Sequence, residues 1–189
     1  MTILPSSGVR LLAAAILALP LATKADAAPL VLDHGESHVD MAVKSTLTSF
    51  VARLENFDVA ITLDPESGRV ESTAFHADLS AVKTGRADRD HNMGVWLQTD
   101  KFPQVIFELK AVDRDPNGAL TAHGRLQLHG QQHDIFFPVT ISVSRRLTTI
   151  DGTCKLDTRD YGLPIIRYFV LTVDPVVPVH FHLQGSLTR

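Results

Sequence analysis

One cysteine, Cys154, stands in 189 residues, so no internal disulfide forms and stability has to come from a packed core and backbone ladders. A lone cysteine at an apolar alternating position reads as a small hydrophobe. A basic excess is also missing. Eighteen Lys and Arg face 21 Asp and Glu, a net charge of −3, which excludes the electrostatic footprint of a nucleic-acid binder. Large rings are few, with one Trp, two Tyr and nine Phe. The chain has no Gly-x-Ser-x-Gly elbow, no Cys-His signature, no Gly-rich phosphate loop and no His-Glu-x-x-His spacing. The expectation is a protein that is not an enzyme and holds no resident metal.

The longest apolar run is Leu11–Leu19, shorter than the about 20 residues that span a bilayer. Arg10 precedes it, Pro20 breaks it, and Ala25-Asp26-Ala27 follows as a small-x-small cleavage site. That order predicts a signal peptide over 1–27 and a single mature domain over 28–189. It places the protein in the periplasm or outside the cell. Removing Arg10, Lys24 and Asp26 with the leader makes the remainder slightly more acidic.

What is present throughout the rest is period two. Val105, Phe107, Leu109 and Ala111 form one apolar face; Leu120, Ala122, Gly124, Leu126 and Leu128 form another. Ile135, Phe137, Val139, Ile141 and Val143 repeat the pattern, as do Val177, Val179, Phe181 and Leu183. Shorter versions are Val39/Met41/Val43, Phe57/Val59/Ile61/Leu63 and Phe75/Ala77/Leu79. Alternation of this kind marks antiparallel strands with one buried face.

Asp64-Pro65-Glu66-Ser67-Gly68, Asp115-Pro116-Asn117-Gly118, Gly130-Gln131-Gln132 and Asp151-Gly152 supply turn chemistry between the runs. A meander of about eight strands hides its edges most simply by closing into a barrel, with a two-layer sandwich as the rival. The exception to period two is Asp88–Leu97, where Met93, Trp96 and Leu97 suit a short helix capped by Asp88 or Asp90. That helix sits in a long crossover between strands, with Trp96 as a plug or as part of a mouth. The fold class is therefore all-β: one antiparallel eight-stranded barrel with a short crossover helix at one mouth.

Nine histidines invite a metal reading, and His180/His182 and His129/His133 are the closest pairs in sequence. The alternation places His123, His129, His180 and His182 on polar outward faces, as solvated side chains. Turn carboxylates such as Asp64, Asp113, Asp115 and Asp151 are expected to bond their own turn backbone. The interior remains as the site. An eight-stranded barrel is filled by its own side chains or holds one small ligand, and the scarcity of rings leans toward a cavity. The candidate ligand-binding residues are Val39, Met41, Phe75, Leu79, Val105, Phe107, Leu126, Leu128, Phe137, Val139, Ile141 and Phe181, together with Phe50, Met93 and Trp96.

Several ordered segments carry a resemblance. Ser37-x-Val39-x-Met41-x-Val43, Asp64-Pro65 with Gly68-x-Val70, and Asp78-Leu79-Ser80-Ala81-Val82-Lys83-Thr84-Gly85 followed by Arg89-Asp90-His91-Asn92-Met93 come first. Phe102-Pro103-x-Val105-x-Phe107, Gly124-x-Leu126-x-Leu128-His129-Gly130, Ile135-x-Phe137-Pro138-Val139 and Asp160-Tyr161-Gly162-Leu163 follow. In this order they resemble the YceI-like family of polyisoprenoid-binding or lipid-binding proteins over nearly all of residues 33–189. The chain departs from the family's pattern at Ala52-x-Leu54 and at Gly94-Val95-Trp96-Leu97, and Ile165–Asp174 does not align readily with it. The resemblance implies a lipocalin-like barrel that holds a long isoprenoid lipid or similar amphiphile, in exported proteins. Transient contact with a membrane or a membrane protein is expected of such a carrier, and a redox accessory holding an isoprenoid quinone for a membrane partner is a further reading. The alternative is an envelope stress or interaction protein with no bound lipid.

Overall fold

A computed structural model describes residues 27–144 and 147–188, so all but the last residue of the leader expected over 1–27 lies outside the described residues. The strands are β1 (Ala28–Leu32), β2 (His38–Lys44), β3 (Ser49–Leu54), β4 (Asp58–Leu63), β5 (Val70–Asp78) and β6 (Val82–Lys83). After the helix α1 (Ala87–Leu97) come β7 (Gln104–Arg114), β8 (Leu120–Leu128), β9 (Gln131–Val143), β10 (Thr148–Asp157), β11 (Arg167–Tyr168), β12 (Leu171–Thr172) and β13 (Val176–Leu187).

Pairing closes the sheet. β1 and β2 act as one bent stave against β13, with Leu30 opposite Leu187 and Val39 opposite Phe181. β3 and β4 form the next stave, pairing with β2 and β1 respectively. From there β5, β7, β8, β9, β10 and β13 follow as antiparallel neighbours, and β13 returns to β1 and β2. The result is a closed eight-stranded antiparallel barrel, which removes the sandwich alternative. The crossover from β5 to β7 carries a short 3-10 turn (Leu79–Ala81), β6 against β3, and α1 at one end of the barrel.

Four local expectations are corrected. Asp151-Gly152 is not a hairpin turn: both residues lie inside β10, where the glycine makes room for a ring. The β8–β9 turn is His129-Gly130, not Gly130-Gln131-Gln132. His129 (φ 49°) and Gly130 (φ 73°) are both left-handed, and Leu128 pairs with Gln131, the geometry whose twist suits a two-residue hairpin. In β7 the register shifts between Leu109 and Ala111. This bulge turns Ala111 outward beside His123 and brings Val112 inward opposite Ala122. The helix starts at Ala87, and neither aspartate caps it: Arg86 is the N-cap and makes no side-chain cap bond. Asp90 instead accepts from the backbone N–H (2.8 Å) and hydroxyl (2.5 Å) of Thr84, tying the first turn to the crossover.

The other turns follow their composition. Asp64 accepts from the N–H groups of Glu66 and Ser67, and Asp115 from those of Asn117 and Ala119. Outer-face charges pair across strands, as Arg53 does with Asp40 and as Lys110 and Arg125 both do with Asp134. The apolar positions turn inward to a core that includes Leu54, Ile61, Leu63, Leu79, Leu126 and Leu183.

Candidate ligand-binding cavity

The inward faces of the staves do not fill the barrel. They enclose a cavity of about 220 Å³. Val39 and Met41 come from β2, Leu54 from β3, Val59 and Ile61 from β4, and Thr73 and Phe75 from β5. β7 contributes Val105, Phe107, Leu109 and Val112, and β8 contributes Ala122, Leu126 and Leu128. Ile135, Phe137 and Val139 of β9, Ile150, Cys154 and Leu156 of β10, and Val179, Phe181 and Leu183 of β13 complete the wall. Leu79 and Val82 of the crossover close it at the helix end.

The Thr73 hydroxyl, the Cys154 thiol and the Met41 thioether interrupt this hydrocarbon surface, and among the described residues no charged side chain lines it. Burial pushes the Cys154 thiol up to about 11, so it stays protonated near neutral pH and does not act as a nucleophile there. Such a surface offers apolar contact, worth about 25 cal/mol per Å² removed from water before the costs of binding.

Eleven of the sequence-designated residues stand on this wall: Val39, Met41, Phe75, Leu79, Val105, Phe107, Leu126, Leu128, Phe137, Val139 and Phe181. Four do not. Phe50 lies under the Arg89 guanidinium, 3.9 Å from its ring centre. Met93 borders a separate groove of about 700 Å³ between the crossover and α1, whose rim carries Lys83, Asp90, His91 and Lys101. That groove abuts the inner cavity at Leu79 and Val82, which border both. Trp96 donates its indole N–H to the Pro164 carbonyl at 2.9 Å, fastening the helix down as a plug. Ile141 borders a small hollow with Val143 at the opposite end.

The wall also has members that were not designated. Val59, Ile61, Ile150, Cys154 and Leu156 sit at alternate positions of their strands, so the period-two signal was available for them. Val112 had no such signal, because the bulge before it inverts the alternation.

The histidines need one correction. His129 is buried, not solvated. Its Nδ1 lies 2.9 Å from the Tyr161 carbonyl oxygen and its ring packs 4.4 Å from that of Phe102. His133 meets the Tyr161 ring edge-on at 5.1 Å, so both histidines converge on Tyr161. Burial raises the Tyr161 phenol to about 12. On the outer face His182 Nδ1 lies 2.6 Å from Asp151 Oδ1, His180 Nδ1 lies 3.0 Å from Thr153 Oγ1, and His123 stacks on Phe136. Among the described residues no three His, Cys, Asp or Glu side chains come together as metal ligands would.

Comparison with known proteins agrees with the barrel fold. The YceI-like domain pattern matches residues 30–185. The chain belongs to the YceI-like domain family. Among curated proteins none matches the chain. Solved structures do. Burkholderia cenocepacia BcnA superposes with a TM-score of 0.73 at 18% identity, over 82% of this chain and 100% of that one. A polyisoprenoid binding domain from Saccharophagus degradans, implicated in plant cell wall breakdown, gives 0.62 at 16% identity over 86% and 100%. The Campylobacter jejuni YceI protein gives 0.66 at 15% over 76% and 88%. At these identities the likeness is one of fold.

Proposed function

We propose that this YceI-like barrel is an exported, non-enzymatic carrier that holds an apolar or amphiphilic molecule of the isoprenoid type inside the barrel. The observation that carries the reading is the cavity wall: about 220 Å³ enclosed by hydrocarbon side chains with no charge. The volume is below the about 300–1,000 Å³ of pockets for drug-sized molecules. It therefore suits a slim chain better than a broad ring system. A long chain would enter in part and leave its head at the helix end, where the inner cavity abuts the wider groove. The polyisoprenoid binding named for the Saccharophagus degradans domain is in keeping with this. Such a carrier loads and unloads at a membrane or a membrane protein.

Val139 tests the cargo. It lies on the wall between Leu120 and Gly152, while Thr140 points out. Val139→Asp places a carboxylate in the cavity and is expected to expel co-purifying lipid or destabilise the barrel; Thr140→Asp does neither. Val139→Trp fills space without charge and is expected to stay folded by circular dichroism while losing lipid, as read by extraction and mass spectrometry. Wild-type protein that carries no lipid, with Val139→Trp unfolded, would instead make the interior a packed core.

The export part has its own check. β1 begins at Ala28 and pairs with both β4 and β13, so cleavage after Ala27 would leave the closing strand whole. Sequencing of protein recovered from the soluble extracytoplasmic fraction is expected to give an amino terminus within a residue or two of Ala28. An intact Met1 there would refute it.

A further inference from the structure

The helix end of the barrel carries an apolar projection that the cavity does not explain. β11 and β12 form a small hairpin whose two-residue tip is Phe169-Val170. Phe169 is 90% exposed, Val170 75% and Tyr168 72%. Phe169 also holds a left-handed backbone (φ 53°), which a bulky residue adopts at a cost. The hairpin is braced from below. Thr46, in the β2–β3 turn, donates its hydroxyl to the Val170 carbonyl (2.8 Å) and accepts from the Thr172 N–H (3.2 Å). Its own N–H donates to the Thr172 carbonyl at 3.0 Å. The next residue in that turn is Leu47, 66% exposed. Four large apolar side chains are thus presented to water on two turns held together by hydrogen bonds. Isolated exposed hydrophobes are ordinary; a braced cluster is not.

We propose that this tip, formed by Tyr168, Phe169, Val170 and Leu47, docks the barrel on the surface of a lipid bilayer. This deepens the carrier reading, which requires such a contact, but it stands on a different surface and is tested without cargo. Three features favour a bilayer. The tip is convex and small. Two aromatics, at about 150–250 Å² each, and two aliphatics fall short of the roughly 800 Å² per partner that a stable dimer buries. The charged residues within Met41–Leu54 and Tyr161–Val173 are Lys44, Arg53 and Arg167, while Asp174 stands behind them at the foot of the hairpin, its backbone N–H on the Lys44 carbonyl and its carboxylate on the Val176 N–H. Arg53 is taken by Asp40, leaving Lys44 and Arg167 for anionic headgroups in a chain that is otherwise net acidic. Finally, Tyr168 has the ring-and-hydroxyl character that suits the membrane–water boundary.

The test is flotation with vesicles of phosphatidylethanolamine and phosphatidylglycerol, using protein expressed from the full chain and recovered from an exporting host. All variants share one amino terminus, so differences between them report the hairpin. The double variant Tyr168→Ser, Phe169→Ser is expected to weaken vesicle binding about tenfold or more. Val95→Ser, which removes another exposed apolar side chain, on α1, leaves binding unchanged. Phe169→Gly removes the ring while accepting the left-handed backbone, so it loses affinity without losing thermal stability. Arg167→Glu weakens binding to these vesicles but not to vesicles of neutral lipid alone. Wild-type protein that does not float, or a double variant that floats as well as wild type, overturns the proposal. A wild-type dimer that the double variant converts to monomer, with no vesicle binding, would assign the tip to a second copy and overturn it as well. Lipid extracted from the cavity is measured separately, so loss of cargo and loss of docking are distinguishable.

Discussion

The ring of Phe181 lies directly over Gly152. The two residues are cross-strand partners of β13 and β10, and a Cβ on the glycine would stand 2.3 Å from Phe181 Cζ and 2.6 Å from its Cε1. Gly124 seats Phe107 in the same way, 2.4 Å from Cε2 and Cζ. Both rings line the cavity. The two glycines thus decide how flat the rings lie against the wall, and hence how much of the barrel stays open.

The two seats differ in what surrounds them. Around Gly152 the close atoms all belong to the Phe181 ring, which can swing inward; at Gly124 the backbone oxygen of Glu108 is also within 2.6 Å. Gly152→Ala is therefore expected to keep the fold, cost about 1–3 kcal/mol, and push Phe181 into the cavity. Gly124→Ala should cost more, because backbone has to move. Urea unfolding measures the first difference and lipid content the second. A Gly152→Ala protein with full stability and full lipid would show that the ring has room to spare.

Cys154 supplies an independent probe of whether the cavity is dry. Its thiol is raised to about 11 by burial. At pH 8 it therefore holds roughly a hundredfold less thiolate than an ordinary cysteine, before access is considered. Native protein should react with iodoacetamide at pH 8 at least that much more slowly than protein unfolded in guanidinium. Labelling of the folded barrel at the unfolded rate would put solvent against the Cys154 wall.

Much of this arrangement could be read from alternation, and the failures share a cause. Val105, Phe107, Leu126, Phe137, Val139 and Phe181 face inward because period two fixes the face of a strand once its register is uninterrupted. Ala111 and Val112 exchanged faces because a bulge adds one residue, and nothing in QVIFELKAVDR marks where it falls. Asp151-Gly152 looked like a turn because Asp-Gly usually supplies a positive φ; here the glycine answers a need for space under a ring that is distant in sequence. His129 followed the outward phase of β8, yet it is the first residue of the turn, where left-handed backbone swings it under Phe102 and Tyr161. Phe50, Met93 and Trp96 depended on how the crossover folds over the barrel end, a tertiary matter without a local period. The exposed hairpin at Tyr168–Leu171 lies in the one stretch where neither alternation nor family pattern was of use.

Acid sensitivity follows from the outer-face carboxylates. Hydrogen bonds from Arg125 first and Lys110 second hold Asp134 down at about 2, and a hydrogen bond from Arg159 does the same for Asp157. Asp40, Asp64, Asp78, Asp88 and Asp90 are lowered too: Asp40 by Arg53, Asp64 by turn N–H groups, Asp78 by the Ser80 side chain and N–H, Asp88 by Arg86 and Asp90 by Thr84. A carboxyl whose folded pKa lies below its unfolded value, near 4, releases its proton more readily when folded. Its stabilisation is complete above about pH 4 and fades as pH falls toward 2. Urea midpoints should therefore hold level from pH 7 to about 5 and then decline between about 4 and 2. Because these groups are exposed, the decline should be shallow for any one of them and weaker in high salt. Asp134→Asn should lower the midpoint slightly at pH 7 and make the acid limb shallower, since one of the most depressed groups has been removed. An acid limb that keeps its full slope in Asp134→Asn and in Asp157→Asn alike would move the source of acid sensitivity away from these two ion-paired carboxylates.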